Sequence, residues 1–137
     1  MDPPEAEAAA ELLRAACAVR EHAHAPYSRF KVGAALRDEA GRIHAGCNVE
    51  NAAYPQSLCA EAVALGALVA AGGARVTAAA VVGDAPAPVT PCGGCRQKLA
   101  EFAAPDTPLR CANTAGAVVD TTLGALLPAA FGAEALR

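Results

Sequence analysis

Positive charge is what this chain most lacks. Eleven lysines and arginines stand against fourteen aspartates and glutamates, a formal charge of −3 at pH 7. Nothing in that balance favours a polyanionic partner such as a nucleic acid or an acidic membrane surface. Also missing is an uncharged apolar run long enough to span a bilayer. The opening stretch MDPPEAEAAAELLRAACAVREHA begins acidic and spaces its apolar residues as a helix does, unlike the basic-then-apolar layout of a secretion signal. Without an export signal, the six cysteines are expected to stay reduced in the cytoplasm rather than build a disulfide scaffold. Their work is then packing, metal binding or catalysis. No repeat, low-complexity tract or interdomain linker interrupts the 137 residues. They read as one domain, 1–137, long enough to bury a core without disulfides or other staples.

Hydrophobic periodicity orders what is there. Leu12, Ala16 and Val19 recur at helical intervals between Pro3–Pro4 and Pro26, predicting a first helix. From Phe30, FKVGAALRDEAGRIHAG reads as a hairpin turning around Asp38 to Gly41, with Val32, Ala34 and Leu36 on one face. A second helix is expected from about Leu58 to Ala71, stopped by Gly72 and Gly73. VTAAAVVGD is apolar throughout, as a strand covered on both faces is. CGGCRQKLAEFA supplies a third helix of about ten residues. PLRCAN and AVVDTT supply two last short strands, and the tail TLGALLPAAFGAEALR, with Pro128 at its centre, no more than short helical turns. Helix, hairpin, helix, strand, helix and strand in that order suggest a mixed sheet flanked by helices.

Three cysteines are read as packing residues: Cys17 in the first helix and Cys111 in a strand, both buried and apolar, and Cys47 beside the polar NVEN. The other three are spaced for chemistry. Cys92 and Cys95 of PCGGC stand three residues apart at a helix start, which puts both on one face within reach of one ion. A C-x-x-C pair also suits thioredoxin-like redox chemistry, but that motif usually follows the first strand of its fold, and here it follows the third. If Cys59, at the mouth of the preceding helix, joins them, three thiolates hold a zinc ion and leave a fourth position for water. That is the arrangement of a catalytic site, and the pKa of such a water falls from ~15.7 to about 7. Glu61, two residues past Cys59, diverges from that thiol on a regular helix, so it suits a neighbour of the water better than a co-ligand. Both helix mouths carry partial positive charge that favours thiolates, while the apolar remainder of SLCAEAVALGALVAAGG anchors its helix in the core.

Taken together and in this order, APYSRFKVGAAL, GCNVENAAY, CAE, PCGGCRQ and LLPAAFG resemble the zinc-dependent cytidine deaminase family, in its small, all-cysteine, homotetrameric branch. The resemblance spans nearly the whole chain. It implies an α/β fold, a three-layer α-β-α sandwich with a mixed five-stranded sheet, and one zinc ion per subunit on Cys59, Cys92 and Cys95. The activity it implies is hydrolytic deamination of cytidine and 2′-deoxycytidine to uridine and 2′-deoxyuridine, with ammonia released, in pyrimidine salvage. Glu61 then shuttles protons, as base and acid in turn. By motif position Asn48, Val49 and Glu50 bind substrate, Asn48 and Glu50 at the ribose 3′-hydroxyl. The backbone around Ala60 and Thr90 meets the base, Phe30 stacks on the pyrimidine, and Tyr54 and Phe131 reach into a neighbouring subunit's site. A site built to hydrogen-bond a sugar hydroxyl strongly rejects ligands that leave its groups unpaired.

One position departs from the pattern. Many relatives carry arginine directly after the catalytic glutamate, donating to the zinc thiolates, and Ala62 stands there in this chain. The sulfurs then lack one charge-assisted donor unless the helix dipoles or Arg96, beside Cys95, compensate. Other readings stay open. CAEAVALG without arginine also resembles the blasticidin S deaminases, so a modified cytosine such as blasticidin S or an N4-substituted cytidine is an alternative substrate, against which NVEN argues. A non-catalytic zinc module joining two helices is disfavoured by Glu61 and the open fourth ligand position. A thiol oxidoreductase would cycle Cys92 and Cys95 without metal. His22, His24 and His44 are given no part in the chemistry and are read as surface or hydrogen-bonded residues.

Overall fold

Asp2 opens the first helix. The computed structural model describes residues 1–137, and in it Asp2 accepts a hydrogen bond from the Glu5 N–H at 2.9 Å at the start of α1 (Pro3–Arg20). An acidic cap followed by proline in the first turn is a strong helix start. β1 (Val32–Asp38) and β2 (Ile43–Cys47) form the antiparallel hairpin, with Ala35 opposite Ala45. A 3-10 turn at Tyr54–Gln56 leads to α2 (Ala60–Ala70), β3 (Val76–Gly83), α3 (Gly93–Ala100), β4 (Pro108–Asn113), β5 (Val118–Thr122) and α4 (Leu123–Leu126), with a last 3-10 turn at Ala133–Leu136. The sheet order is β2-β1-β3-β4-β5, antiparallel except for the β3–β4 pair. Parallel strands need a crossover, and α3 makes it. The mixed five-stranded α/β architecture is the one expected.

Alternation along β1 sends Ala34 and Leu36 to one face and Ala35 to the other. Ala34, Leu36, Val76, Ala79 and Leu109 pack against Ala60, Ala64, Leu65 and Leu68 of α2, Leu99 of α3 and Leu123 of α4. Ala35, Ala80, Val82 and Ala112 pack against Leu12 and Ala16 of α1. β3 feeds both cores, which is why its sequence is apolar throughout. Each fully buried leucine contributes about 1.5–3 kcal/mol. Two glycines set how close the helices come. A Cβ at Gly33 would collide with the Ala16 carbonyl of α1, and one at Gly46 would collide with the Ala64 N–H and lie 2.8 Å from the Ala60 carbonyl of α2. The start of α2 is thereby seated directly on the hairpin.

Three expectations change in detail. Strand β1 starts at Val32 instead of Phe30, because Phe30 gives its N–H to Ser28 Oγ and its carbonyl to Asn48 Nδ2 and has neither free for a ladder. Helix α2 starts at Ala60 instead of Leu58, because Leu58 exchanges backbone hydrogen bonds with Val49 at 2.8 and 2.9 Å, and Cys59 keeps extended dihedrals as the cap. Cys17 is exposed instead of buried, whereas Cys111 is fully buried and Cys47 half-buried. On α1 the inward stripe runs through Leu12 and Ala16, and the residue after Ala16 is rotated about 100° away from it. No helix is long and apolar enough to cross a membrane.

Candidate active site

Cys59 caps α2 and Cys92 caps α3, with Cys95 one turn into α3. The three sulfurs lie within 4.8 Å of one another, Cys59 Sγ and Cys92 Sγ at 3.8 Å. A tetrahedral zinc with bonds of about 2.3 Å holds its sulfurs about 3.8 Å apart, so the tripod fits the ion, and soft thiolates favour it. All six cysteines are free thiols. Burial pushes the Cys59 thiol up, and at Cys95 burial and then the charge of Glu61 do the same. At Cys92 burial is outweighed by the Cys95 backbone N–H and the neighbouring sulfurs, and the thiol comes down. The helix-mouth setting therefore prevails over burial at Cys92 alone. A dication is what makes three adjacent thiolates tolerable here.

Glu61 is only 6% exposed. Burial pushes its carboxyl up, with the charge of Lys98 pulling the other way, so the group is disposed to carry a proton. It stands in the wall of a cleft of about 300 Å³ together with Phe30, Asn48, Glu50, Cys59, Ala60, Thr90 and Cys92. Eight of the residues expected from the sequence thus meet in one place. Ala60 begins α2, so its N–H has no partner within the helix and is available at the cleft. The ring of Phe30 rests over Gly83, where a Cβ would come within 3.0 Å of the ring edge.

The segment 48–50 is pinned between two extended neighbours. His24 donates to the Asn48 carbonyl at 3.0 Å and accepts from the Glu50 N–H at 2.8 Å, and Val49 pairs with Leu58. Asn48 Oδ1 accepts from the Val32 N–H and Nδ2 donates to the Phe30 carbonyl, both at 2.8 Å. Glu50 Oε1 accepts from the N–H groups of Tyr27 and Ser28 at 2.9 and 3.1 Å, and Oε2 accepts from Ser28 Oγ. The Ser28 hydroxyl holds the Glu50 carboxyl below its ordinary range; burial opposes this, and the two N–H groups assist. What stays available is one N–H of Asn48 and one side of Glu50 Oε2. A donor next to an acceptor is the complement of a single hydroxyl.

Of the other four expected residues, Cys95 is buried within 4.8 Å of the two lining sulfurs, and three lie away from the cleft. Val49 spends its backbone on Leu58 and leaves its side chain 40% exposed. Tyr54 and Phe131 are 70% and 61% exposed, Tyr54 edge-on to Tyr27 and Phe131 tied through its carbonyl to Gln97 Nε2 at 3.0 Å. Arg96 does not serve the sulfurs. Its guanidinium donates to the Pro91 carbonyl at 2.7 Å, the Leu126 carbonyl at 2.8 Å and Thr90 Oγ1 at 3.2 Å, bracing the loop that enters α3. Ser28, Ser57 and Val89 line the cleft without having been singled out. Nothing in YSRF marks Ser28 for this place, because its partner Glu50 is 22 residues away.

Proteins that leave a three-ligand zinc site open beside a buried acid are, as a class, zinc hydrolases. Fold and site place this chain among them. The model of the cytidine and deoxycytidylate deaminase zinc-binding region matches residues 6–111. A cytidine deaminase of Sporosarcina psychrophila is 48% identical over 117 residues, 85% of this chain and 86% of that protein. One of Halalkalibacterium halodurans is 46% identical over 123 residues, 90% and 93% of the two chains. The crystal structure of cytidine deaminase from Burkholderia pseudomallei superposes with a TM-score of 0.86 at 48% identity, covering 89% of this chain and 98% of that one. The chain belongs to the cytidine and deoxycytidylate deaminase family, with zinc as its cofactor.

Proposed function

We propose that this protein, acting as a single domain over residues 1–137, deaminates cytidine and 2′-deoxycytidine to uridine and 2′-deoxyuridine with release of ammonia, in pyrimidine salvage in the cytoplasm. One observation carries the reading: Cys59, Cys92, Glu61 and the Asn48–Glu50 pair line a single cleft, with the third sulfur, Cys95, within 4.8 Å of the other two. Cys59, Cys92 and Cys95 are its metal ligands. When bound, the zinc supplies Lewis acidity at its open fourth position, making a water there acidic near neutral pH.

The other steps belong to the chain. Glu61 takes the water's first proton on its carboxylate and passes it to N3 of the pyrimidine as oxygen adds to C4. It then carries the second proton from the C4 hydroxyl to the departing amine, so that both protons of one water leave through one side chain and the products are uridine and ammonia. Phe30 stacks on the base, and the backbone of Ala60 and Thr90 hydrogen-bonds its edge. The free N–H of Asn48 donates to the sugar 3′-hydroxyl, which donates in turn to Glu50 Oε2. Val49 keeps these two side chains in register. Tyr54 and Phe131, exposed and outside their own cleft, complete a neighbouring cleft in a homotetramer.

The test is a cytidine assay with zinc quantified in parallel. One zinc per chain and ammonia release from cytidine are expected. Glu61→Gln retains the zinc and loses about 10²–10⁴-fold in turnover. Undiminished activity in that variant removes Glu61 from the mechanism, and turnover confined to blasticidin S, with ammonia released, or to N4-substituted cytidines, with the substituted amine released, replaces the substrate.

A further inference from the structure

The loop before β1 contains a link that the chemistry above leaves unused. Ser28 Oγ has one proton, donated to Glu50 Oε2, and it accepts the Phe30 N–H at 3.0 Å. Arg29 between them takes the left-handed conformation, with φ of 61°. A residue with a Cβ pays about 1 kcal/mol or more for that, and here the turn returns the Phe30 N–H to the hydroxyl two residues back. On its other side Phe30 is held by Asn48 Nδ2 through its carbonyl. The ring lies against Gly83 and Val89, since a Cβ on Gly83 would be 3.0 Å from the ring edge and 2.9 Å from Val89 Cγ2. Of the two residues with free capacity for a sugar hydroxyl, Asn48 therefore holds the Phe30 carbonyl directly and Glu50 reaches the Phe30 N–H only through the Ser28 hydroxyl.

We infer that Ser28 is a positioning residue that couples recognition of the sugar hydroxyl at Glu50 to the placement of the Phe30 ring, and so sets selectivity for nucleosides over ligands lacking that hydroxyl. The inference rests on the nucleoside reading of the cleft and goes beyond it. Without the Ser28 hydroxyl, Oε2 of Glu50 loses its fixed donor and the carboxylate turns on its remaining Oε1 bonds. The same change frees the Phe30 N–H. A ligand that uses the hydroxyl is then penalised twice, whereas one lacking it loses only the support of the ring.

The experiment compares wild type, Ser28→Ala and Ser28→Thr on cytidine and 3′-deoxycytidine. Equilibrium binding of uridine and 3′-deoxyuridine is measured by calorimetry on the same zinc-loaded preparations. Wild type prefers the 3′-hydroxylated member of each pair. Ser28→Ala lowers that preference about tenfold in kcat/KM and in binding, the weight of one hydrogen bond to a charged group, while Ser28→Thr restores it. Zinc content and melting temperature identify a variant that has lost its fold, and the threonine variant then decides by keeping or losing the preference. A wild type that discriminates, with an alanine variant that loses activity equally on both substrates, overturns the role of Ser28 and leaves the nucleoside reading standing. A wild type that deaminates cytidine but ignores the 3′-hydroxyl overturns the Ser28 inference and the Asn48–Glu50 sugar contact while leaving the deamination standing, and one that ignores cytidine overturns both.

Discussion

Ala62 shows how one side chain can tune a metal site without touching the reaction. It follows Glu61 and is half-buried, where the family resemblance leads one to expect an arginine. Arg96 does not replace that donor, because its guanidinium is committed to Pro91, Leu126 and Thr90. Unless the two helix dipoles compensate, the sulfurs would be more electron-rich and a bound zinc a weaker Lewis acid. Ala62→Arg is expected to keep zinc bound, keep cytidine as substrate and raise turnover by up to about tenfold, the weight of one charge-assisted hydrogen bond. Steady-state kinetics with zinc analysis checks it, and an inactive, zinc-free variant would mean that position 62 has no room beside the tripod. At this scale the grouping of three thiols beside one acid was legible because a metal site needs particular residue types at particular spacings. Ser28 was not, since a serine reads as a turn residue until its distant partner is in place.

The hairpin carries its own electrostatic lock. Asp38 ends β1 at a bulge and is 1% exposed. Its Oδ1 accepts from the N–H groups of Ala40 and Arg42, and its Oδ2 from Arg42 Nε and His44 Nε2, all at 2.8 to 2.9 Å. Arg42 also reaches the Ala71 carbonyl at the end of α2, so the turn is fastened to the helix that presents Glu61. Burial pushes the Asp38 carboxyl up, but these donors and the Arg42 charge outweigh it and bring the pKa from 3.8 down to about 2. The lower folded value means that the carboxylate stabilises the fold at all pH above the unfolded pKa. That contribution is lost as pH falls through the window between the two values. Melting temperature measured across that window should fall less steeply for Asp38→Asn than for wild type, from a lower starting point. Parallel slopes would show that the network is not what acid breaks.

At the scale of the whole molecule, five strands and four helices bring residues 30, 48, 61 and 92 into one cleft, yet Tyr54 and Phe131 project from the surface. In the proposed homotetramer a neighbouring subunit would cover both rings. Sedimentation equilibrium is expected to return the mass of four 13.6 kDa chains. Phe131→Ala should lower kcat/KM for cytidine about tenfold with zinc content unchanged, whereas a fully active monomer would show that each cleft is complete within one chain. Sequence alone determined the order of helices and strands, the two-sided burial of β3 and the three thiols with their acid. Hydrophobic periodicity and ligand spacing are local, and each can be read along a short stretch. Tertiary structure alone decided that Leu58 pairs with Val49 and so leaves Cys59 as a cap. It also turned Cys17 outward, committed Arg96 to the loop entering α3, and gave one hydroxyl at position 28 to both Glu50 and Phe30. Each depends on which backbone and side-chain groups are left unpaired once distant segments meet, and that satisfaction of donors and acceptors exists only in three dimensions.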